Sequence, residues 1–296
     1  MKKRSVGEII FDVINRLLML MIIFITLYPM YYVFVCSFSD GNRLIGARGL
    51  LLKPLGFTID AYKAVAKNPN IISGYKVTIF VVVVGTILSL IVTAIGAFLI
   101  TRKRFAIRKF MTYMMIFTMY FNGGMIPTYL VVSQLLGLNN SIWALILPIL
   151  ISTYNLLIMR TNFESIPDAL EEAAIIDGAN DIVILFRIIL PLSVSIMAVM
   201  VLYYGVAYWN SWFSAMMYIR SRTKFPLQLI LREIILSSDT SNMAGGVGAV
   251  DASEQYAIGE SIKYATIVVG TLPILLLYPF IQKYFVKGVM VGAVKG

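Results

Sequence analysis

Histidine is absent from the 296 residues, and cysteine occurs once, at Cys36. Without imidazole, the common zinc sites and the Ser-His and Cys-His nucleophile pairs are excluded. A single thiol rules out internal disulfides and Cys-x-x-Cys metal or redox sites. No Gly-x-x-x-x-Gly-Lys-[Ser/Thr] loop occurs, so the chain lacks the usual phosphate cradle for hydrolysing ATP. Any energy it uses must come from a gradient or a partner. Charge is scarce too. Only 14% of residues are charged, against about 25% in a soluble domain. With 59% hydrophobic residues and a mean hydropathy of +0.84, a soluble fold is excluded.

Long apolar runs take the place of the missing polar surface. Each is long enough, at 1.5 Å per residue, to cross roughly 30 Å of hydrocarbon. The pattern predicts six spans near 14–38, 77–100, 111–136, 142–161, 190–218 and 264–284. The fold class that follows is all-α: one polytopic transmembrane domain over 1–296. The net charge of 25 − 15 = +10 is dispersed at the ends of apolar runs, not gathered on a polar domain, so it orients helices and does not bind nucleic acid. Met1-Lys2-Lys3-Arg4 and Arg16 ahead of the first run resemble a signal peptide. The run exceeds the usual length of about 7–15 residues and lacks a small-x-small cleavage site, so it is expected to remain as the first span.

Orientation comes from the short loop between spans two and three, which holds Arg102, Lys103, Arg104, Arg108 and Lys109 without an acid. The positive-inside rule places it in the cytoplasm. Six spans then put both termini there as well, with 39–76 and 219–263 outside. Pro29, the Gly123-Gly124 break, Pro148, Pro273 and Pro279 interrupt spans. Two readings stand for these breaks, packing kinks or a translocation path lined by freed backbone groups.

Between spans four and five, Thr161–Leu190 carries Glu164, Asp168, Glu171, Glu172, Asp177 and Asp181, six of the chain's 15 acids. Ser165 with Asp168 three residues on looks like a capping box, and Pro167 suits a first turn. Gly178 suits a left-handed cap, and a second short helix is expected to start at Asn180 or Asp181 and run into Leu190-Pro191. The segment therefore reads as helix, glycine turn, helix. Its first helix carries an apolar stripe of Ile166, Leu170, Ala173 and Ala174 and is marginal alone in water, so it needs something to dock against.

The spacing Glu172-Ala173-Ala174, three residues, Gly178, nine residues, Ile188, one residue, Leu190-Pro191 resembles the EAA loop of permease subunits in binding-protein-dependent ABC importers. The wider run through Phe186 and Leu192, and the end Tyr278-Pro279-Phe280 through Gly296, are similar to the carbohydrate branch of that family, of the maltose-importer type. Ser195 departs from it, since many members have a second proline there. The resemblance implies a type I importer permease in the bacterial cytoplasmic membrane, moving an oligosaccharide or polysaccharide fragment. It implies as partners a second homologous permease subunit, a cytoplasmic ATPase dimer that alone uses ATP, an extracytoplasmic sugar-binding protein and membrane lipid, with no cofactor, metal or catalytic residue in this chain. Residues 162–191 then form the coupling loop. Carried over by position, Glu172 is the ATPase's ion-pair partner, Ala173, Ala174 and Gly178 form the close-packed turn with Asp177, and Leu190 and Pro191 lead into span five. The tail from Tyr284 either reaches the ATPase or frays, and Ala244–Ala249 is expected to touch the binding protein.

A sugar path needs polar and aromatic side chains. Candidates are Asn122, Tyr129, Tyr154, Asn155, Tyr204, Tyr208, Trp209 and Asn210. For the aromatic ones an interfacial belt is the alternative, and for Asn155 an interhelical hydrogen bond. At the level of the whole protein, a permease for a non-sugar solute, an ion-gradient transporter and a membrane enzyme stand as alternatives. A gradient-driven transporter would be expected to bury carboxylates deep in its spans, and none lies there.

Overall fold

The computed structural model describes residues 5–47, 49–244, 260–279 and 282. Among these, helix dominates and strand pairing is limited to one bridge between Ser39 and Phe57. The chain forms two compact units, drawn from Met1–Asn68 with Glu233–Thr271 and from Pro69–Arg232 with Leu272–Gly296.

In the first unit, helix α1 spans Val6–Ser37. Ser5 opens it with a full capping box: its Oγ accepts from Glu8 N at 3.2 Å, and Glu8 Oε2 accepts from Ser5 N at 3.0 Å. The interruption expected at Pro29 does not occur, because α1 runs through it without a break. A proline deletes one ladder bond, and 32 residues of apolar helix carry that loss. After α1, the short helix α2 (Gly41–Ile45) is capped by Asp40, and α3 covers Asp60–Lys67. Phe38 stacks on Phe57 at 5.6 Å and meets Tyr62 at 4.9 Å with the rings tilted by 37°, which holds the intervening loop to the end of α1.

The second unit is built on α4 (Pro69–Thr101). Three broken helices follow, each changing direction where proline, glycine or serine interrupts the ladder. The first is α5 (Arg108–Tyr120) with α6 (Met125–Leu130) and a π turn to Leu135, bent by 115° at the Gly123-Gly124 break. The second is α7 (Trp143–Ile146), continued by Leu147–Ile149 around Pro148, then α8 (Thr153–Phe163) at 52°. After α9 (Asp168–Ile176) comes the third: α10 (Asp181–Ile184), a π turn over Leu185–Ile189 and α11 (Leu190–Leu192), bent by 86° into α12 (Val194–Trp209). Helix α13 (Trp212–Tyr218) follows; α14 (Leu227–Ala244) belongs to this unit as far as Arg232, and α15 (Glu260–Pro279) from Leu272 onward.

Among the described residues, helices α1, α4 and α15 are each long and apolar enough to cross a membrane, and the total reaches six if each of the three bent pairs is one span. The fifth differs from the run expected over 190–218. Its straight part begins after Ser193 and stops at Trp209, because Asn210 and Ser211 leave the helix before α13 restarts it.

Helix α4 packs along α12 at a point set by glycine. A Cβ on Gly85 would lie 2.6 Å from Tyr208 Cζ, so only glycine lets the ring of Tyr208 lie against α4. Tyr208 and Tyr204, one turn apart on α12, meet Ser89 and Thr93, one turn apart on α4, at 2.9 and 2.7 Å. The same hydroxyls serve the broken helix: Tyr204 Oη accepts from Ser152 N at 3.1 Å and Tyr208 Oη donates to Ile146 O at 3.3 Å. Breaking a helix in an apolar setting leaves backbone groups that need partners. Here two tyrosines supply them.

Candidate functional site

Two regions of the second unit carry polar chemistry, an elbow between α8 and α11 and a cavity beside α12.

The elbow begins differently from the expected capping box. Pro167 occupies the cap position without a side-chain bond, and Ser165 Oγ instead donates back to Asn162 O at 2.6 Å, so the hydroxyl closes the preceding turn. Asp168 and Glu171 occupy the first turn of α9, where carboxylates favour the positive end of the helix dipole. The helix ends as expected. Gly178 sits at φ +82°, with Gly178 N donating to Ile175 O and Ala179 N to Ala174 O, the paired bonds of a left-handed cap. Asn180 then caps α10 by accepting from Val183 N at 2.9 Å.

The apolar stripe of α9 divides between two faces. Ala174 is 9% exposed and packs with the half-buried Ile166 against the unit's core, beside Phe98, Phe163 and Ile184. Leu170, Ala173 and Ile176 face outward, Ile176 at 85% exposure, with Glu172, Asp177 and Gly178 exposed beside them. Ile182 and Phe186 extend that apolar surface past the turn. An exposed apolar patch rimmed by polar residues marks a protein docking surface. Leu190 and Pro191 lie in the short turn that leads through the 86° bend into α12.

The inner side of the elbow is tied to the end of α4. Arg102 forms an ion pair with Glu171, and its guanidinium lies 3.8 Å above the Phe98 ring. Burial pushes the Arg102 pKa down, while the nearby Asp181 and Asp168 carboxylates pull it back up. Lys103 Nζ reaches Asp168 Oδ2 at 3.0 Å, with both side chains largely exposed. Sequence reasoning used Arg102 and Lys103 only for orientation. The signal for pairing was a basic loop without acids and an acidic loop nearly without bases, predicted on one side of the membrane.

The cavity has a volume of about 800 Å³. Tyr154, Asn155, Tyr204 and Asn210 line it, joined by residues not singled out individually beforehand, such as Ser152 and Tyr278. The rings of Tyr154 and Tyr203 stand 6.4 Å apart at 34°, and the buried Ser211 hydroxyl in the wall has no hydrogen-bond partner. None of the described lining residues is charged. The remaining candidates lie elsewhere. Tyr208 is fully enclosed against α4, and Trp209 packs edge-on to Tyr75 at 6.3 Å. Tyr129 stacks on Tyr218 at 5.8 Å, and Asn122 Oδ1 accepts from Gly124 N at 2.9 Å at the turn between α5 and α6. Ala244 ends the described part of α14, and 245–259 and the tail from Tyr284 lie outside the described residues.

Up to six candidate spans, an elbow with an exposed apolar and acidic face, and a cavity whose described lining is uncharged define a helical membrane transport subunit. No protein-family model matches the chain. It is 40% identical over 287 residues to the polygalacturonan/rhamnogalacturonan transport system permease protein YtcP of Bacillus subtilis, covering 97% of this chain and 99% of that one. It is 41% identical over 289 residues to protein LplC of the same organism, covering 97% and 95%. The crystal structure of a bacterial ABC transporter involved in the import of the acidic polysaccharide alginate superimposes with a TM-score of 0.86 at 31% identity, over 96% of this chain and 100% of that one. The chain belongs to the carbohydrate-type permease subunits of ABC importers. It is a multi-pass membrane transport subunit and not an enzyme, and a permease of this class works with an ATPase and a substrate-binding protein. The ion-gradient and enzyme alternatives fall away with that membership.

Proposed function

We propose that this chain carries a saccharide through the cavity beside α12 and takes its driving force from an ATPase seated on the elbow. The observation that carries the reading is the outward face of α9. A nine-residue helix is too short to persist alone in water, yet it shows Leu170, Ala173 and Ile176 to solvent with Glu172 and Asp177 at their margin. A cytoplasmic ATPase dimer covers that face. Glu172 contributes through a desolvated, hydrogen-bonded pair, since an exposed pair would be worth at most about 1 kcal/mol. Leu190 and Pro191 lead into α12, whose 16 residues, about 24 Å at 1.5 Å each, end beside the cavity at Asn210.

The cavity suits a sugar by its chemistry. Tyr154 and Tyr203 offer ring faces to the apolar faces of a pyranose, and Asn155, Asn210 and Ser211 offer amides and a hydroxyl to its hydroxyl groups. Its described lining is aromatic, amide and hydroxyl in character, the chemistry that meets a sugar ring and its hydroxyl groups. A second, homologous permease subunit completes the path, an extracytoplasmic binding protein delivers the sugar, and lipid surrounds α1, which buries none of its apolar window. The basic loop after α4 and the elbow both lie in the cytoplasm, as do both termini, in a bacterial cytoplasmic membrane. The chain uses no cofactor, metal or nucleic acid of its own.

The test is co-expression of the full importer with Glu172→Arg or Ile176→Asp in this chain. The ATPase is expected to be lost from the purified complex and uptake to fall about a hundredfold, while the chain still inserts in the membrane. Retention of the ATPase together with normal uptake in both variants would refute the docking role.

A further inference from the structure

We infer that Arg102 is a positioning residue, a side strut through which movement of the elbow is delivered to α4 and from there to the cavity wall. The inference rests on the coupling function proposed for the elbow.

The covalent route out of the elbow is poorly built for pushing. On one side, residues 164–167 leave the helix before α9 begins. On the other, a π turn over Leu185–Ile189 and an 86° bend at Ser193 stand between α10 and α12. Breaks of this kind absorb rotation. Helix α4 is unbroken over 33 residues and ends at Thr101, one residue before Arg102. Arg102 is held at both ends. Its guanidinium lies on Phe98, in the last turn of α4, and it pairs with Glu171 on the inner face of α9.

The two ion pairs at this junction differ in kind. Lys103–Asp168 is exposed on both sides, at 81% and 72% of its side-chain surfaces, and such pairs constrain little. Arg102–Glu171 is exposed at only 15% and 25%, and a planar guanidinium stacked on a ring is fixed in orientation as well as position. Farther along α4, Ser89 and Thr93 hold Tyr208 and Tyr204, and Tyr204 Oη receives Ser152 N at the break beside Tyr154 and Asn155. A displacement of α9 therefore reaches the cavity through Arg102 and one rigid helix. Glu172 meets the ATPase, and Glu171, its neighbour in sequence, faces the protein's own interior.

The test uses the complete importer in proteoliposomes, with ATP hydrolysis and uptake measured together. Arg102→Glu and Glu171→Arg are each expected to retain the ATPase in the complex and to hydrolyse ATP, while uptake falls about tenfold. Hydrolysis per sugar moved rises accordingly, a change that a merely stabilising ion pair would not produce in an assembled complex. The combined Arg102→Glu/Glu171→Arg variant reverses the pair and is expected to return uptake to within about twofold of the native importer. As a second arm, Arg102→Cys/Glu171→Cys is bridged with a bis-methanethiosulfonate reagent, the chain's own Cys36 being buried. Bridging is expected to restore uptake that the unbridged pair has lost. Single reversals that keep the native ratio of uptake to hydrolysis would overturn the strut, and so would a bridged pair that stays uncoupled. Failure of the elbow as the ATPase seat shows separately, as unchanged co-purification in Glu172→Arg.

Discussion

Gly85→Ala is expected to destabilise the α4–α12 pair even though alanine is the better helix former. The added Cβ would lie 2.6 Å from Tyr208 Cζ and 2.8 Å from both Cε atoms. Carbon pairs rest at about 3.5–4.0 Å, so the ring must retreat by about 1 Å. Tyr208 has no free space to enter, being fully buried, and its hydroxyl is held by Ser89 Oγ and Ile146 O. Overpacking of this kind costs about 1–3 kcal/mol, and loosening a hydrogen bond between membrane helices adds about 0.6. Alanine returns at most about 1 kcal/mol of helix propensity, leaving a net loss of roughly 1–2 kcal/mol. Gly205→Ala on α12 is the control, because its Cβ would meet only Thr86 Oγ1 at 3.9 Å, and there the propensity gain stands alone. The assay is titration of the purified chain in mixed micelles with dodecyl sulfate, followed by tryptophan fluorescence. Trp143, Trp209 and Trp212 all belong to the unit that contains α4 and α12. The two substitutions should shift the midpoint in opposite directions, and Gly85→Ala should cost less in a Tyr208→Leu background, where the ring is gone. A Gly85→Ala chain as stable as the native one, or two shifts of the same sign, would refute the close-approach argument.

Other expectations follow from the same geometry. Gly178→Ala forces a side chain into φ +82°, at a cost of about 1–2 kcal/mol. It should weaken ATPase retention without lowering membrane insertion, read by co-purification at increasing salt. Tyr204→Phe removes the oxygen that accepts from the part-buried Ser152 N and meets the buried Thr93 hydroxyl, a loss of about 1–3 kcal/mol. The same detergent titration should show that loss, and Thr93→Val, which leaves the Ser152 bond in place, should lose less.

The turn chemistry of the elbow was legible locally. Gly178 and Asn180 act as their residue types dictate, because a left-handed cap and an N-cap each depend on a few neighbouring bonds. Ser165 misled for a related reason. Its hydroxyl can either accept from the N–H three residues on, as a cap, or donate to a carbonyl of the preceding turn, and Pro167, whose ring holds φ near −65°, starts the helix without it. The aromatic run on α12 could not be sorted from sequence. Tyr204 and Tyr208 lie four residues apart on one helix face, yet Tyr204 reaches the cavity and Tyr208 does not. That difference is set by Gly85, more than a hundred residues away.

Hydropathy and the order of charges determined by themselves that this chain is a polytopic, all-helical membrane protein with a charged elbow. Both depend only on apolar length and on the residues next to a turn. Only the tertiary structure decided which carboxylate of the elbow looks outward and which pairs with Arg102, and which of the two tyrosines that mend the broken helix also lines the cavity. Neighbouring residues on a helix point about 100° apart, so the faces of Glu171 and Glu172 are assigned by whatever packs beside them, and that packing comes from distant parts of the chain.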